Sequence, residues 1–326
     1  MATPRTSIIM PVYNTAHEVV RSIESVMAQT DQDFELIIIN DQTPDHADSV
    51  IRNYLKQNPD PRVKYLTNEI NMGLAATRNR GMKEATGEWL AYLDSDDAYQ
   101  PDFLATMHAH TSEDIDVVVC AHSVLYPDGE SRYRLRGKAG TYTGQQAMLK
   151  LLRDETTPYA WDKIFRRTAV HGLEFPIVNR VEDAAYAVAA YQQVRKVRVI
   201  DTSLVLYSVN PQSITWGSVP PIPEINRYID YLKNTTGAHR GTSAEQVALA
   251  TSWVGAYLNG AQSALRLRPD HLNTYLKDCR AALRWPLILK TAQAQPLFAA
   301  AGALLKVSPA LYKVLYGAYV KKMYGL

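Results

Sequence analysis

Four short apolar runs constrain this chain most. They are Ser7–Val12, Phe34–Ile39, Val63–Leu66 and Trp89–Leu93. Each is too short for a buried helix and nearly continuous in apolar character, as strands covered on both faces should be. Helical spacing fills the intervals. Val19, Val20, Ile23, Val26 and Met27 share one face, as do Val50, Ile51, Tyr54 and Leu55, and Leu74–Ala85 is a third helix. Thr15-Ala-His-Glu18 has the form of a capping box for the first helix, and Asp45 is placed to cap the second. This alternation predicts a doubly wound α/β domain.

The fourth run ends in Asp94-Ser95-Asp96-Asp97. Open α/β sheets take their ligands at the carboxyl ends of strands. Three carboxylates this close repel one another unless something compensates them. A divalent cation carrying a polyphosphate would do so, and hard oxygen ligands suit Mg²⁺ or Mn²⁺. These residues alone also fit a loop of solvated aspartates capping the next helix. The first turn, Pro11-Val12-Tyr13-Asn14, is not the GxGxxG of a dinucleotide fold, and GxxxxGK[ST] is absent.

Further along, helices are expected over 102–111, 145–153 and from Glu182 to Gln193. Strands are expected at 116–120, Val197–Ile200 and Leu204–Val209, with a hairpin at Leu125–Glu130 and a short strand or turn at Trp161–Phe165. The character changes at Pro220-Pro-Ile-Pro223, which reads as a linker. This predicts an α/β domain over 1–219 and a smaller helical domain over 220–326, with helices near 224–234, 243–266 and 270–284. Thr242-Ser-Ala-Glu245 is a second capping box.

A hydrophobic fraction of 46%, a charged fraction of 21% and a net charge of +2 are those of a globular protein and call for no nucleic-acid partner. Cys120 and Cys279 fall in different predicted domains, so a disulfide is not expected and a reducing compartment is. No run reaches a membrane span and no signal-peptide core is read at the N-terminus, so a cytoplasmic location is expected. Residues 286–326 hold five lysines and no acid. That tail fits either peripheral contact with the inner membrane face or ordinary helical packing, and oligomerisation stays open.

Six motifs in order and spacing resemble the family-2 glycosyltransferases, which have the GT-A fold. They are Ser7-Ile-Ile-Met-Pro-Val-Tyr-Asn14, Ser25-Val-Met-Ala-Gln-Thr30, Ile38-Ile-Asn-Asp-Gln-Thr-Pro-Asp45, Asn71-Met-Gly-Leu-Ala-Ala-Thr-Arg-Asn79, Leu93-Asp-Ser-Asp-Asp97 and Glu182-Asp183. Asn40 stands where the family pattern has an aspartate. The resemblance covers about 5–215 and implies a GT-A doubly wound mixed sheet, with a nucleotide-sugar half over about 1–97 and an acceptor half over about 98–219. It implies that Pro11, Tyr13, Asn14, Glu18, Asp41, Asn71, Gly73, Arg78, Asp94 and Ser95 bind the nucleotide-sugar donor. Asp41 would accept from the base, and Asp96 would hold Mn²⁺ or Mg²⁺. For Glu18 the capping box is an equal account. Arg78 would hold phosphate or pair with a carboxylate, Asn79 would tie backbone groups, and Asp97 would cap the following helix.

The resemblance also implies that Asp183 is the catalytic base and that Trp161, Lys163 and Glu182 meet the acceptor. Trp161 is equally placed to be core. Tyr207 and Asn210–Thr215 resemble a loop that folds over the nucleotide. The implied reaction is inverting, metal-dependent transfer of a sugar, from a UDP-sugar by preference, to a glycan, polyol-phosphate or lipid-linked acceptor. Bacterial cell-surface polysaccharide and teichoic-acid synthesis are the expected settings. Ala281-Ala-Leu-Arg-Trp285 lacks the glutamine of the processive synthases, so a non-processive enzyme is expected. A nucleotidyltransferase would need a glycine-rich basic loop near residue 10, which is absent. A non-catalytic binding module would have no use for Asp94, Asp96 and Asp183 together.

Overall fold

The computed structural model describes residues 3–126, 129–178, 180–210 and 217–324, with side chains through 318. Contacts divide the chain into two compact units. One comprises 1–147, 157–177 and 182–210; the other comprises 148–156, 178–181 and 211–326.

The first unit is built on a mixed sheet. Its strands are β1 (Thr6–Val12), β2 (Phe34–Asn40), β3 (Val63–Thr67), β4 (Trp89–Tyr92), β5 (Ala98–Tyr99), β6 (Val117–Leu125), β7 (Ser131–Arg134), β8 (Gly140–Thr143), β9 (Lys163–Arg166) and β10 (Lys196–Ser208). The order is β3-β2-β1-β4-β9-β6-β10-β5, with β7 beside β6 and β8 beside β10. Strands β3, β2, β1 and β4 are parallel, and β9 runs antiparallel to both β4 and β6. Helices α1 (Val19–Met27), α2 (Ala47–Gln57), α3 (Leu74–Glu84), α4 (Phe103–Ala109) and α6 (Glu182–Gln193) complete the α/β pattern, while α5 (Gly144–Leu152) begins in this unit and its later residues belong to the second. All seven residues of β1 are buried, which is why its run has no alternation.

The chain winds outward from β1 to β3 and then crosses to β4. The crevice at the carboxyl ends of β1 and β4 is therefore a topological switch point. Helix α3 approaches β1 unusually closely, because a Cβ at Gly81 would lie 2.4 Å from Ile9 Cγ2.

Two local expectations are corrected, and two strands appear that the sequence did not mark. The capping box at Thr15 does not form. Helix α1 starts at Val19, and Thr15 Oγ1 instead bonds Ser95 Oγ at 2.8 Å. The two last strands are one, β10, whose pairing with β6 shifts register around exposed Asp201 and Thr202, the signature of a bulge. Strands β5 and β8, short and without apolar runs, carry no sequence signal strong enough to mark them.

In the second unit α7 (Ile222–Thr236), α8 (Ser243–Leu267), α9 (Leu272–Ala282), α10 (Trp285–Thr291), α11 (Pro296–Val307) and α12 (Pro309–Tyr324) pack around α8. The Thr242 capping box is present, with both reciprocal hydrogen bonds made. Among the described residues no helix is long and apolar enough to cross a membrane.

Candidate active site

Three loops meet at the switch point, leaving β1 at Tyr13, β2 at Asp41 and β4 at Asp94. The centre of the site is Arg78, on the inner face of α3 and 0% exposed. Its Nη2 donates to Asp94 Oδ1 at 2.6 Å, and its Nη1 donates to Asp183 Oδ1. One guanidinium therefore ties the end of β4 to the start of α6, Asp94 to Asp183, across 89 positions of chain. Its planar fork suits two carboxylates at once.

Arg78 lies over the Phe175 ring, 5.4 Å from its centroid. That ring stacks on Tyr186 at 4.0 Å and is edged by Tyr92 at 5.1 Å. Asn79 holds the Phe175 backbone in both directions, donating to its carbonyl at 2.9 Å and accepting from its N–H at 2.7 Å. The expected backbone role of Asn79 is thus what the structure shows, and it fixes the floor beneath Arg78. Nothing in the sequence around Phe175 marked it.

Asp183 accepts a second hydrogen bond at Oδ2, from the Ala160 N–H at 2.9 Å. Burial is the largest influence on its carboxyl and raises its pKa, against the opposing Arg78 charge. Next to it, burial and the Asp183 charge push the Glu182 carboxyl up to about 7. Glu182 Oε2 is buried with no hydrogen-bond partner among the described residues.

Asp96 sits differently. Its side chain makes no ion pair among the described residues, and burial, then Asp94 and Glu18, push its pKa up to about 6. A carboxylate raised by burial and like charge, which the nearby Arg21 charge only partly offsets, is the environment a divalent cation would relieve. Among the described residues no three His, Cys, Asp or Glu side chains cluster to hold an ion. Asp96 therefore fits a metal whose other ligands come largely from a bound ligand and water.

A family model described as "Glycosyl transferase family 2" matches residues 7–172, just over half of the chain. The chain belongs to glycosyl transferase family 2. EpsH of Bacillus subtilis (strain 168) is 32% identical to this family-2 chain over 222 residues, 66% of this chain and 63% of EpsH. The match thus spans less than two thirds of that relative. An Escherichia coli protein, UDP-Glc:alpha-D-GlcNAc-diphosphoundecaprenol beta-1,3-glucosyltransferase WfgD, is 41% identical over 93 residues, 28% of this chain and 35% of WfgD. Among solved structures, S. aureus TarS 1-349 in complex with UDP-GlcNAc superposes with a TM-score of 0.70 at 18% identity, covering 98% of this chain and 92% of that one. That likeness shows the fold. The family match stops at 172, so Glu182 and Asp183 lie beyond it.

Within the family-2 unit the expected site residues separate into two groups. Tyr13 is half exposed, Asn14 is exposed with a left-handed φ of 56°, and Asn71 is exposed on the 68–73 loop. Glu18 is half-buried at the start of α1, beside Asp96 in charge, and Pro11 is buried inside β1. Asp41 is 3% exposed, and its oxygens accept from Asn68 Nδ2 at 2.6 Å and from the Met72 and Gly73 N–H groups, each at 2.8 Å. That uses three of about four acceptor positions on a carboxylate. Gly73 itself has φ of 82°, a conformation that favours glycine.

Four other expectations are corrected. Ser95 is buried, with its hydroxyl bonded to Thr15 and its carbonyl accepting from Ser22 Oγ, so it secures the loop and does not face a ligand. Trp161 is 3% exposed and stacked with Tyr159 and Tyr207 at 4.6 and 5.5 Å, so it is core. Lys163 is 0% exposed, and its Nζ donates to Asp162 Oδ1 at 2.6 Å, to the Thr157 carbonyl at 3.0 Å and to the Tyr159 carbonyl at 2.5 Å. It cannot reach an acceptor; it braces the loop whose Ala160 N–H bonds Asp183. Asp97 does not cap α4. It is fully buried, and its Oδ1 accepts from the Ser208 N–H at 2.8 Å.

Arg21 went unmarked in the sequence. It donates to the Asp96 carbonyl at 2.5 Å and to Ser208 Oγ at 2.9 Å, fastening the Asp94–Asp97 turn to the end of β10. A lone arginine on a helix flank gives no signal of such a reach. The loop expected to cover a nucleotide falls mostly on 211–216, outside the described residues.

Proposed function

We propose that this chain transfers a sugar from a nucleotide-sugar, with UDP as the nucleotide, to a hydroxyl of a glycan, polyol-phosphate or lipid-linked acceptor, inverting the anomeric centre. The observation that carries this reading is the Arg78 bridge, because it sets a donor-side carboxylate, Asp94, and a candidate base, Asp183, on one rigid group. The TarS structure in complex with UDP-GlcNAc and the UDP-Glc in the full name of WfgD support the donor class. The diphosphoundecaprenol in that same name supports a lipid-linked acceptor.

In this reading Tyr13, Asn14, Asn71 and Gly73 border the nucleotide, and the remaining acceptor position on Asp41 takes the base N–H. Asp94 receives the ribose and donor sugar. Asp183 removes the proton from the acceptor hydroxyl as its oxygen bonds the anomeric carbon and the bond to the diphosphate breaks. The partly buried, raised carboxyl of Asp183 is a stronger base than a fully exposed aspartate. Glu182 lies beside it on the acceptor side. Asp96 would hold Mn²⁺ or Mg²⁺, which supplies charge neutralisation to the departing diphosphate. Arg78 meanwhile keeps Asp94 and Asp183 from drifting apart.

The test is a donor screen with Mn²⁺ and with chelator, following nucleoside diphosphate release across UDP-, GDP- and TDP-sugars. Release from a UDP-sugar that chelator abolishes is expected. Asp183→Asn should bind UDP with unchanged affinity and lose transfer. Release from none of the donors would remove the reading, and an active Asp183→Asn would remove the base.

A further inference from the structure

The last acidic residue of the chain is Asp278, and the 48 residues after it carry two arginines and five lysines. The whole chain is only +2, so everything before that point is −5. Five of the seven cations lie among the described side chains, and none meets a carboxylate. Arg280 and Lys306 bond each other's backbone carbonyls at 2.9 and 3.1 Å. Lys290 donates to the Gln246 side chain at 2.5 Å and Lys313 to that of Asn273 at 3.2 Å, while Arg284 lies over the Trp253 ring at 5.7 Å. Their charge is left uncompensated.

The same segment exposes large apolar side chains. Trp285 and Leu289 are one turn apart on α10, and Leu297 on α11 is 82% exposed. On α12, Leu311, Val314 and Leu315 follow i, i+3, i+4 spacing and are 47, 66 and 55% exposed. The opposite side of α12 has its own core face, with Tyr312 fully buried and stacked on Tyr316 at 5.0 Å. The helix thus has an inner aromatic face and a second, outer aliphatic face. A helix with one exposed polar side would show only the first.

We propose that the outer surface of α10–α12 docks the chain on an anionic membrane. Exposed aliphatic side chains, together with cations that have no carboxylate partner on the same helices, suit the boundary between headgroups and hydrocarbon. Protein hot spots favour Trp, Tyr and Arg over Leu and Val, whereas Leu and Val dominate here. A second copy would bring uncompensated cations against their own images. Negative headgroups remove that conflict, and the exposed aliphatic groups then leave water without any span being needed.

The experiment uses the full chain and vesicles of phosphatidylcholine, with or without phosphatidylglycerol, followed by sedimentation. The chain should sediment with the anionic vesicles and not with the neutral ones, and raising the salt from about 0.1 M to about 0.5 M should weaken it at least about tenfold. Val314→Glu with Leu315→Glu should lower affinity for anionic vesicles by at least about tenfold at an unchanged thermal midpoint. Lys290→Gln with Lys313→Gln, which leaves Arg284 on the Trp253 ring, should weaken the salt dependence. Failure to sediment with anionic vesicles, or equal binding by wild type and the double-glutamate variant, would overturn the proposal. So would self-association that the double-glutamate variant abolishes, because it would assign the face to a second copy.

Discussion

At the scale of single residues the site is a set of buried charges held by one another. Among the described residues Arg78 is the one cation touching both Asp94 and Asp183, so Arg78→Lys, which keeps the charge and loses the fork, should lower kcat/KM by about 100-fold or more. Steady-state kinetics with a UDP-sugar would check it, and a change under threefold would place the bridge outside the mechanism. Lys163 is as deeply buried, and with it gone Asp162 would lose its ammonium partner in the core and keep only His122, 3.7 Å away. Lys163→Met should therefore cost about 3–5 kcal/mol in urea unfolding, and adding Asp162→Asn should recover part of it. Asp183 gives a pH dependence. Its folded pKa is raised chiefly by burial, so it takes up a proton at a higher pH than an ordinary carboxyl, and a protonated base is inactive. The acid limb of kcat/KM should accordingly fall above the usual carboxylate range, and a limb at about 4 would contradict the assignment.

At the scale of elements, α3 is what brings Arg78 to its carboxylates, and Gly81 is what lets α3 sit so close to β1. Gly81→Ala puts a methyl where Ile9 Cγ2 already is. Overpacking of this kind should destabilise by about 1–3 kcal/mol. Because the helix must shift outward, activity should fall more steeply than stability. Measuring both on one preparation decides it, since equal losses would mean that the helix does not carry the geometry. Elements also show why local signals misled. Thr15 and Glu18 have the spacing of a capping box, yet Ser95 on the adjoining loop competes for the Thr15 hydroxyl and wins it. Where no neighbour competes, at Thr242, the same pattern forms as spaced.

For the whole molecule, acid acts on a buried histidine of the α/β unit. In the α/β unit His108 is 5% exposed, with its Nε2 bonded to Thr6 Oγ1 at 2.7 Å, and burial lowers its pKa from 6.5 to about 4. The folded chain refuses a proton that the unfolded chain takes up. This contribution is therefore full above about pH 6.5 and is lost as pH falls toward about 4, by at most about 3 kcal/mol. Urea midpoints for wild type and His108→Gln should diverge most at neutral pH and converge over that interval, whereas parallel profiles would exclude His108. The sheet core was legible because β1, β2 and β4 are buried on both faces, so their composition alone declares them. The switch-point loops followed from where those runs end. The roles of Ser95, Trp161, Lys163 and Asp97 were not legible, since a motif fixes which residues are present but not which way each faces. By itself the sequence determined the alternating pattern, the carboxylates at the end of β4 and the charge of the last 48 residues, because each depends only on near neighbours in the chain. The tertiary structure alone decided that Arg78 joins Asp94 to Asp183, that Phe175 lies beneath it and that α12 keeps an aliphatic face outward. Those facts are set by packing between segments up to about a hundred positions apart, and no local propensity encodes such a distance.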